Sequence, residues 1–360
     1  MQDSHHQLVY PNNNRQRLAW IDLLRGFCMM AILWFHTEVY FTGQPMTPYE
    51  MYVGDVLAVF FFLSGYLMYG KPLDIKRLSS NIFSRFLVPY FVFTTIIAVS
   101  KAILIHDDTS WKDIVLSIVS GHASWFIAAL IISQLLFMLF LWITKGKIIW
   151  LSIIAVCCLL LSYFIGNSYQ PFPLYYEQNL WHLNEALLAC FILFAGYLYR
   201  KYETHFNNIS ILLSLLIIFI LIKIYIIHTD AQLIMGPIIV SNYPLFIADL
   251  LCAVLLMVGI FKHLPSVRLI EWTGSHSLVY YFLCGAVPFI VSRLFHKTAL
   301  PTQSYLSVWI VFCVVYIVST LLTKVIYMLC PTLETKVSEP SHKAENAASA
   351  ESVGNTTSAQ

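Results

Sequence analysis

The sequence predicts an all-α, polytopic integral membrane protein. Of its 360 residues, 59% are hydrophobic and only 11% are charged, whereas soluble domains carry about a quarter charged residues. The mean hydropathy is +0.72. Apolar stretches recur along nearly the whole chain, each close to the roughly 20 residues that a helix needs to cross a bilayer. The expected surroundings are therefore a lipid bilayer. A formal net charge of only +2 gives no reason to expect nucleic acid as a partner.

The apolar stretches divide the chain into three parts. We expect a cytoplasmic N-terminal segment over 1–17, a transmembrane domain over 18–330 and a tail over 331–360. The tail is polar and rich in Ser and Ala, a composition typical of disorder. We expect no cleavable signal peptide, because the first apolar stretch is too long for one. Ten spans are predicted, at 18–40, 49–69, 82–105, 121–143, 148–166, 180–199, 209–228, 243–261, 270–294 and 306–329.

The distribution of Lys and Arg predicts the orientation. Ten spans place both termini on one side, and cytoplasmic loops carry the excess of basic residues. With both termini in the cytoplasm, the outer loops hold only Lys112 and Lys297. The cytoplasmic segments then hold Arg15, Arg17, Lys71, Lys76, Arg77, Arg85, Lys145, Lys147, Arg200, Lys201, Lys262, Arg268, Lys324, Lys336 and Lys343.

The cysteines give no sign of a metal site. All eight lie in or beside apolar stretches, without the spacing of zinc ligands or of a disulfide framework. We therefore expect packing roles for them, no metal ion and no permanently bound cofactor.

The first span carries charged and titratable groups that are costly in lipid. Arg25 and His36 are eleven residues apart, so on a helix they lie within about 20° of one face and about 16 Å apart along the axis. Asp22 shares that face with Arg25. One interpretation is a structural Asp22–Arg25 ion pair with His36 at the interface. The other is a polar groove that crosses most of the bilayer and has a titratable imidazole at its far end.

Five segments together resemble the family 3 membrane acyltransferases. "RLAWIDLLRGFCMMAILWFH" (17–36) is similar to the family's first helix, with Asp, then Arg-Gly, then His eleven residues after the Arg. The further segments follow in order: "VFFFLSGYLMYG" (59–70), "SRFLVPYF" (84–91), "HASWFIAALI" (122–131) and "WTGSHSLVYYFL" (272–283). Many relatives have a His just after the last segment, where this chain has Cys284-Gly285.

The resemblance implies an O-acyltransferase of the inner membrane. Such enzymes move an acyl group, usually acetyl, from cytoplasmic acyl-coenzyme A to a hydroxyl of an envelope polysaccharide or another sugar. In these roles His36 would be the base that takes the hydroxyl proton. Arg25, Arg77 and Arg85 would bind the anionic co-substrate, since arginine suits phosphate contacts, and Arg25 would also lie at the catalytic centre.

Other polar groups within the spans admit two interpretations. His122 and Trp125 either orient the acceptor or are an interfacial pair without a role. His182 and Glu185 share a face of their span by their three-residue spacing. They and Asp249 are costly enough in lipid to face the bundle interior, where they either bind the acceptor or stabilise the structure. Lys223 could either snorkel to the membrane surface or pair with one of these acids. We expect Ser64 to be a helix-packing hydroxyl, and Glu38 to lie at the outer surface.

A multi-helix transporter or flippase, for an envelope glycan or a small polar solute, is the alternative function. Many carriers also have buried charges on about ten helices. Against this alternative, we find no internal repeat and no matching pair of Gly/Pro-broken spans.

Overall fold

A computed structural model describes residues 18–71, 74–105, 110–168, 179–206 and 208–331. The predicted N-terminal segment, most of the predicted tail and the loop 169–178 lie outside these residues. Ala19–Lys324 form one compact unit. Leu18 and residues 325–331 are described outside this unit.

The described residues confirm the all-α membrane architecture. Nine helices are long and apolar enough to cross a membrane, and Val53–Met68 adds a shorter apolar helix of 16 residues. The helices are α1 (Ala19–Thr42), α2 (Val53–Met68), α3 (Ile75–Ile82), α4 (Val88–Ile105), α5 (Trp111–Val119), α6 (Trp125–Thr144), α7 (Ile148–Ser168), α8 (Leu183–Lys201), α9 (Glu203–Phe206), α10 (Ile209–Thr229), α11 (Tyr243–Phe261), α12 (Arg268–Ser275), α13 (Ser277–Phe295) and α14 (Tyr305–Leu329).

Two predicted spans differ from the structure in an instructive way. The third begins seven residues earlier than its predicted start at 82, because α3 continues into α4 through a π-helical turn, Phe83–Leu87. Pro89 follows that turn and has no N–H for the regular helical bond, and a π turn accommodates the gap. The predicted span 270–294 is two helices, since His276 (φ −109°, ψ 16°) interrupts it.

Four glycines, Gly26, Gly65, Gly196 and Gly274, let helices approach until their backbones touch. A Cβ atom added to Gly65 of α2 would lie 1.8 Å from the Leu193 carbonyl oxygen of α8. One added to Gly26 of α1 would lie 1.9 Å from the Ile270 carbonyl oxygen of α12. Gly274 of α12 meets the carbonyl oxygen of Asp22 in the same way. Close contact of this kind is how membrane helices gain packing energy without a hydrophobic driving force.

A short hairpin, absent from the sequence prediction, joins α10 to α11. Its strands are β1 (Leu233–Met235) and β2 (Ile238–Val240), paired antiparallel with Ile234 opposite Ile239. Gly236 at its tip lies against Trp125, since an added Cβ would be 2.5 Å from the indole ring. The hairpin therefore covers the beginning of α6.

Candidate active site

Helix α1 carries Arg25 and His36 without a break between them. Both side chains are partly exposed, in a helix half of whose 24 residues are buried. Asp22 is buried, one turn before Arg25. The backbone contacts of Gly26 and Gly274 with their neighbours fix this end of α1 against α12. The Arg-Gly pair in the sequence thus combines a charged side chain with a position that has no room for a side chain.

His36 lies among aromatic rings near the end of α1. Its ring stacks on Tyr40 at 6.1 Å between centroids, and Phe35 meets it edge-on at 5.6 Å. In the described part of the chain, neither nitrogen of the His36 ring makes a hydrogen bond. Such an imidazole can accept a proton from a ligand without first breaking a protein contact.

The two arginines predicted for the donor lie on the α3–α4 segment. Arg77 is exposed on α3, and Arg85 is exposed in the π-helical turn. A cavity of about 440 Å³ opens beside this segment. Its polar lining includes Lys76, Ser79 and Ser80, and its apolar lining includes Phe83, Leu87 and Leu135. Arg77 and Arg85 lie on the same segment as Lys76 without lining the cavity, whereas Arg25 is on a different helix.

The predicted acceptor residues His122, Trp125 and Glu185 form one cluster together with His182. The rings of His122 and His182 meet edge-on at 5.5 Å, and Trp125 lies 6.4 Å from His182. Nδ1 of His182 is 3.4 Å from Oε2 of Glu185, which is fully buried. Ser120 Oγ lies 2.9 Å from Nδ1 of His122. Burial lowers the pKa of His122 from its ordinary value, and the His182 ring lowers it further.

An unusual backbone turn presents this cluster. Trp181 and His182 both have left-handed φ angles, 52° and 51°, which cost of order 1–3 kcal/mol per residue. Trp181 N donates to Ser120 O at 2.7 Å, and Asn179 Nδ2 donates to Glu185 Oε2 at 2.6 Å. Strained non-glycine residues held in this way are typical of functional sites. Asn179 and the turn were absent from the sequence prediction, because a left-handed pair has no simple sequence signal.

Comparison with known families decides the class of protein. The family 3 acyltransferase domain matches residues 18–328. The chain belongs to this acyltransferase family. No similar protein was found among curated proteins, and no similar fold was found among solved structures. The matched region holds every helix that carries a candidate site residue, including Arg25 and His36.

Asp249 of the acyltransferase belongs to a buried ionic triad. Lys223 Nζ lies 2.8 Å from Oδ2 of Asp55 and 2.8 Å from Oδ2 of Asp249, and it donates to the Glu50 carbonyl at 2.9 Å. The predicted pairing of Lys223 with a buried acid is confirmed. Asp55 was not predicted, although an acid within the apolar run 53–68 was a signal for it. Acceptor binding by Asp249 stays a prediction.

Two further side chains have packing partners. Ser64 donates to the Phe60 carbonyl at 2.8 Å and accepts from Gln134 of α6 at 3.3 Å, so it links two helices as a packing hydroxyl does. The expectation that Glu38 lies at the outer surface is wrong. Its side chain is fully buried and accepts hydrogen bonds from Trp34 and Thr47, which fold the chain after α1 back onto the helix.

Proposed function

We propose that this acyltransferase resides in the inner membrane and moves an acetyl group from cytoplasmic acetyl-coenzyme A to a sugar hydroxyl of an envelope polysaccharide. The observation that carries the proposal is α1, which holds a cation and an open imidazole on one face, about 16 Å apart along the axis. That separation suits an extended co-substrate, anionic at one end and reactive at the other.

His36 is the proposed base. It takes the proton of the acceptor hydroxyl as the oxygen attacks the thioester carbonyl. The carbon–sulfur bond then breaks, and the leaving thiolate of coenzyme A takes the proton from the His36 imidazolium. No net proton is gained or lost, so one histidine suffices for the cycle. The stacked Tyr40 ring and the edge of Phe35 hold the imidazole in place.

The donor binds at the opposite end of the bundle. Arg77 and Arg85, with Lys76 at the mouth of the 440 Å³ cavity, supply positive charge for its phosphates. Arg25, on α1, supplies a further positive charge for the donor. The acceptor binds near His122, Trp125 and Glu185, where imidazole and carboxylate groups lie beside an indole ring. Imidazole and carboxylate can bind hydroxyls, and an indole offers an apolar face to a sugar ring.

The test is acceptor-dependent consumption of the thioester. The purified protein in nanodiscs is given radiolabelled acetyl-coenzyme A and envelope glycan fractions from the producing cell. We expect free thiol to appear together with labelled, alkali-labile glycan. Folded protein that consumes no thioester with any fraction would refute the enzyme proposal, and thiol release without labelled glycan would refute the acceptor.

A matched pair of arginine variants tests the donor assignment. Arg25→Lys keeps the charge but loses the planar, bidentate guanidinium, so we expect a KM for acetyl-coenzyme A raised roughly tenfold. Arg268→Lys makes the same change at an exposed position at the start of α12 and should leave KM unchanged. Equal KM values for the two variants would contradict the role of Arg25.

A further inference from the structure

A ladder of aromatic rings leads from His36 to a surface arginine. His36 stacks on Tyr40 at 6.1 Å, and Tyr40 meets the edge of Phe289 at 5.5 Å. The guanidinium of Arg293 lies over the Phe289 ring at 5.3 Å. His36, Tyr40 and Phe289 are partly exposed, and Arg293 is exposed. These contacts therefore connect the proposed base to the end of α13 through partly exposed rings.

The face of α13 that carries Phe289 and Arg293 has open space beside it. Gly285, Phe289 and Arg293 are spaced by four residues, so they lie along one face of the helix. A Cβ atom added to Gly285 would meet no atom within 4 Å, unlike one added to Gly26 or Gly65. We name the surface formed by His36, Tyr40, Gly285, Phe289 and Arg293 the α1–α13 groove.

The charge at the end of the groove is not neutralised. Across the described residues, Arg293 has no carboxylate within ion-pair distance, and its guanidinium contacts only the Phe289 ring. The acid at the same end of α1, Glu38, is buried and already accepts hydrogen bonds from Trp34 and Thr47. The five N–H donors of Arg293 are therefore available to an anion, in a geometry that fits carboxylate or phosphate.

We infer that the α1–α13 groove binds the sugar unit that carries the reactive hydroxyl, and that Arg293 binds an acidic group near that hydroxyl. The cluster of His122, Trp125 and Glu185 then binds a neighbouring unit of the same polysaccharide. The inference rests on the proposed function and narrows its substrate class to acidic sugars. The rings of Tyr40 and Phe289 pack against the apolar faces of sugar units, and Arg293 fixes which sugar unit lies beside His36. A neutral sugar would leave the guanidinium without a partner.

Direct binding tests the inference without acyl transfer. The probes are tetragalacturonate, its carboxyl-reduced tetrasaccharide and maltotetraose phosphate, each with a fluorescent label. Their affinities for the protein in phosphatidylcholine nanodiscs are measured by equilibrium dialysis. We expect one acidic probe to bind roughly tenfold more tightly than the neutral one, since a charge-assisted hydrogen bond contributes about that much. Whichever acidic probe binds more tightly shows whether Arg293 prefers a carboxylate or a phosphate.

Four variants test which residues cause the preference for the acidic probe. Arg293→Gln should remove the preference for the acidic probe, and Arg293→Lys should keep part of it because the charge remains. Lys297→Gln removes an exposed charge one turn later and should change nothing. Gly285→Leu should weaken binding of both probes roughly tenfold by filling the groove, with an unchanged melting temperature.

Specific outcomes would overturn the inference. These are equal binding of acidic and neutral probes by the wild type, or an unchanged preference in Arg293→Gln. A third is an effect of Arg293→Gln only on stabilisation by phosphatidylglycerol nanodiscs, which would make Arg293 a lipid-headgroup contact. Acidic-probe binding without thioester consumption would count against the proposed function alone. Acyl transfer that is indifferent to Arg293 and to acceptor charge would count against the groove alone.

Discussion

The ionic triad and the surroundings of His36 handle polar groups within the bundle in opposite ways. In the triad, the ammonium of Lys223 has three oxygen partners within 2.9 Å, and all three charged side chains are at most 7% exposed. His36 is partly exposed, and within the described residues its ring makes aromatic contacts and no hydrogen bond. A cation with three oxygen partners holds helices together, whereas an imidazole without hydrogen bonds can exchange a proton. Both kinds of group are costly to place in a membrane, so their hydrogen bonding, and not that cost, distinguishes them.

The largest effect is expected from removing the open imidazole. His36→Ala should lower acyl transfer by about 10²–10⁴-fold, the usual contribution of a general base. The melting temperature in detergent should stay that of the wild type, because His36 makes no hydrogen bond to any of the described residues. Thiol release and thermal unfolding measure the two quantities on one sample. Normal transfer by a folded His36→Ala protein would remove His36 from the mechanism.

Removing Lys223, whose ammonium has three oxygen partners, should instead lower the stability of the protein. Lys223→Met leaves Asp55 and Asp249 facing each other without a counter-charge and should destabilise the protein by about 3–5 kcal/mol. Adding Asp55→Asn and Asp249→Asn to Lys223→Met should restore most of that stability. Thermal unfolding in detergent measures both proteins. If Lys223→Met unfolds at the wild-type temperature, the triad is not what holds α2, α10 and α11 together.

A smaller effect separates two glycines that look equivalent in the sequence. Gly26→Ala places a methyl group against the Ile270 carbonyl and should cost about 1–3 kcal/mol through overpacking. Gly285→Ala meets nothing within 4 Å and should be neutral or stabilise by up to about 1 kcal/mol, because alanine favours helix. Chemical or thermal unfolding compares them, and equal destabilisation would mean that the α1–α13 groove is closed.

The smallest effect is a pH dependence at His122. Its pKa is lowered in the folded protein, chiefly by burial, so the unfolded chain takes up the proton more readily. Stability should therefore be complete above the unfolded pKa of about 6.5 and decline as the pH falls below it. His122→Asn should reduce the acid-induced fall in melting temperature by roughly one degree. His205→Asn, at an exposed histidine, serves as the control and should behave like wild type.

Some features of the site could be predicted from residue spacing, and others depend on a turn that brings separate segments of the chain together. The eleven-residue interval of Arg25 and His36 defines a shared helix face wherever the helix packs, and α1 is unbroken as expected. The shared face of His182 and Glu185 was also predicted, since i and i+3 are neighbours on a helix, and the two side chains are in contact. The meeting of His122 with His182 was not, because it depends on the strained turn at Trp181.

By itself, the sequence determined that this chain is a helical membrane protein and which helix carries the candidate base. Hydropathy and helical periodicity are local properties, so they can be derived from the sequence without knowing which helices pack together. Only the tertiary structure decided that Lys223 is saturated by Asp55 and Asp249, that Glu38 is buried and that Arg293 stands beside Phe289. Whether a polar group is satisfied depends on atoms from distant helices, and that choice of partners is made when the helices pack.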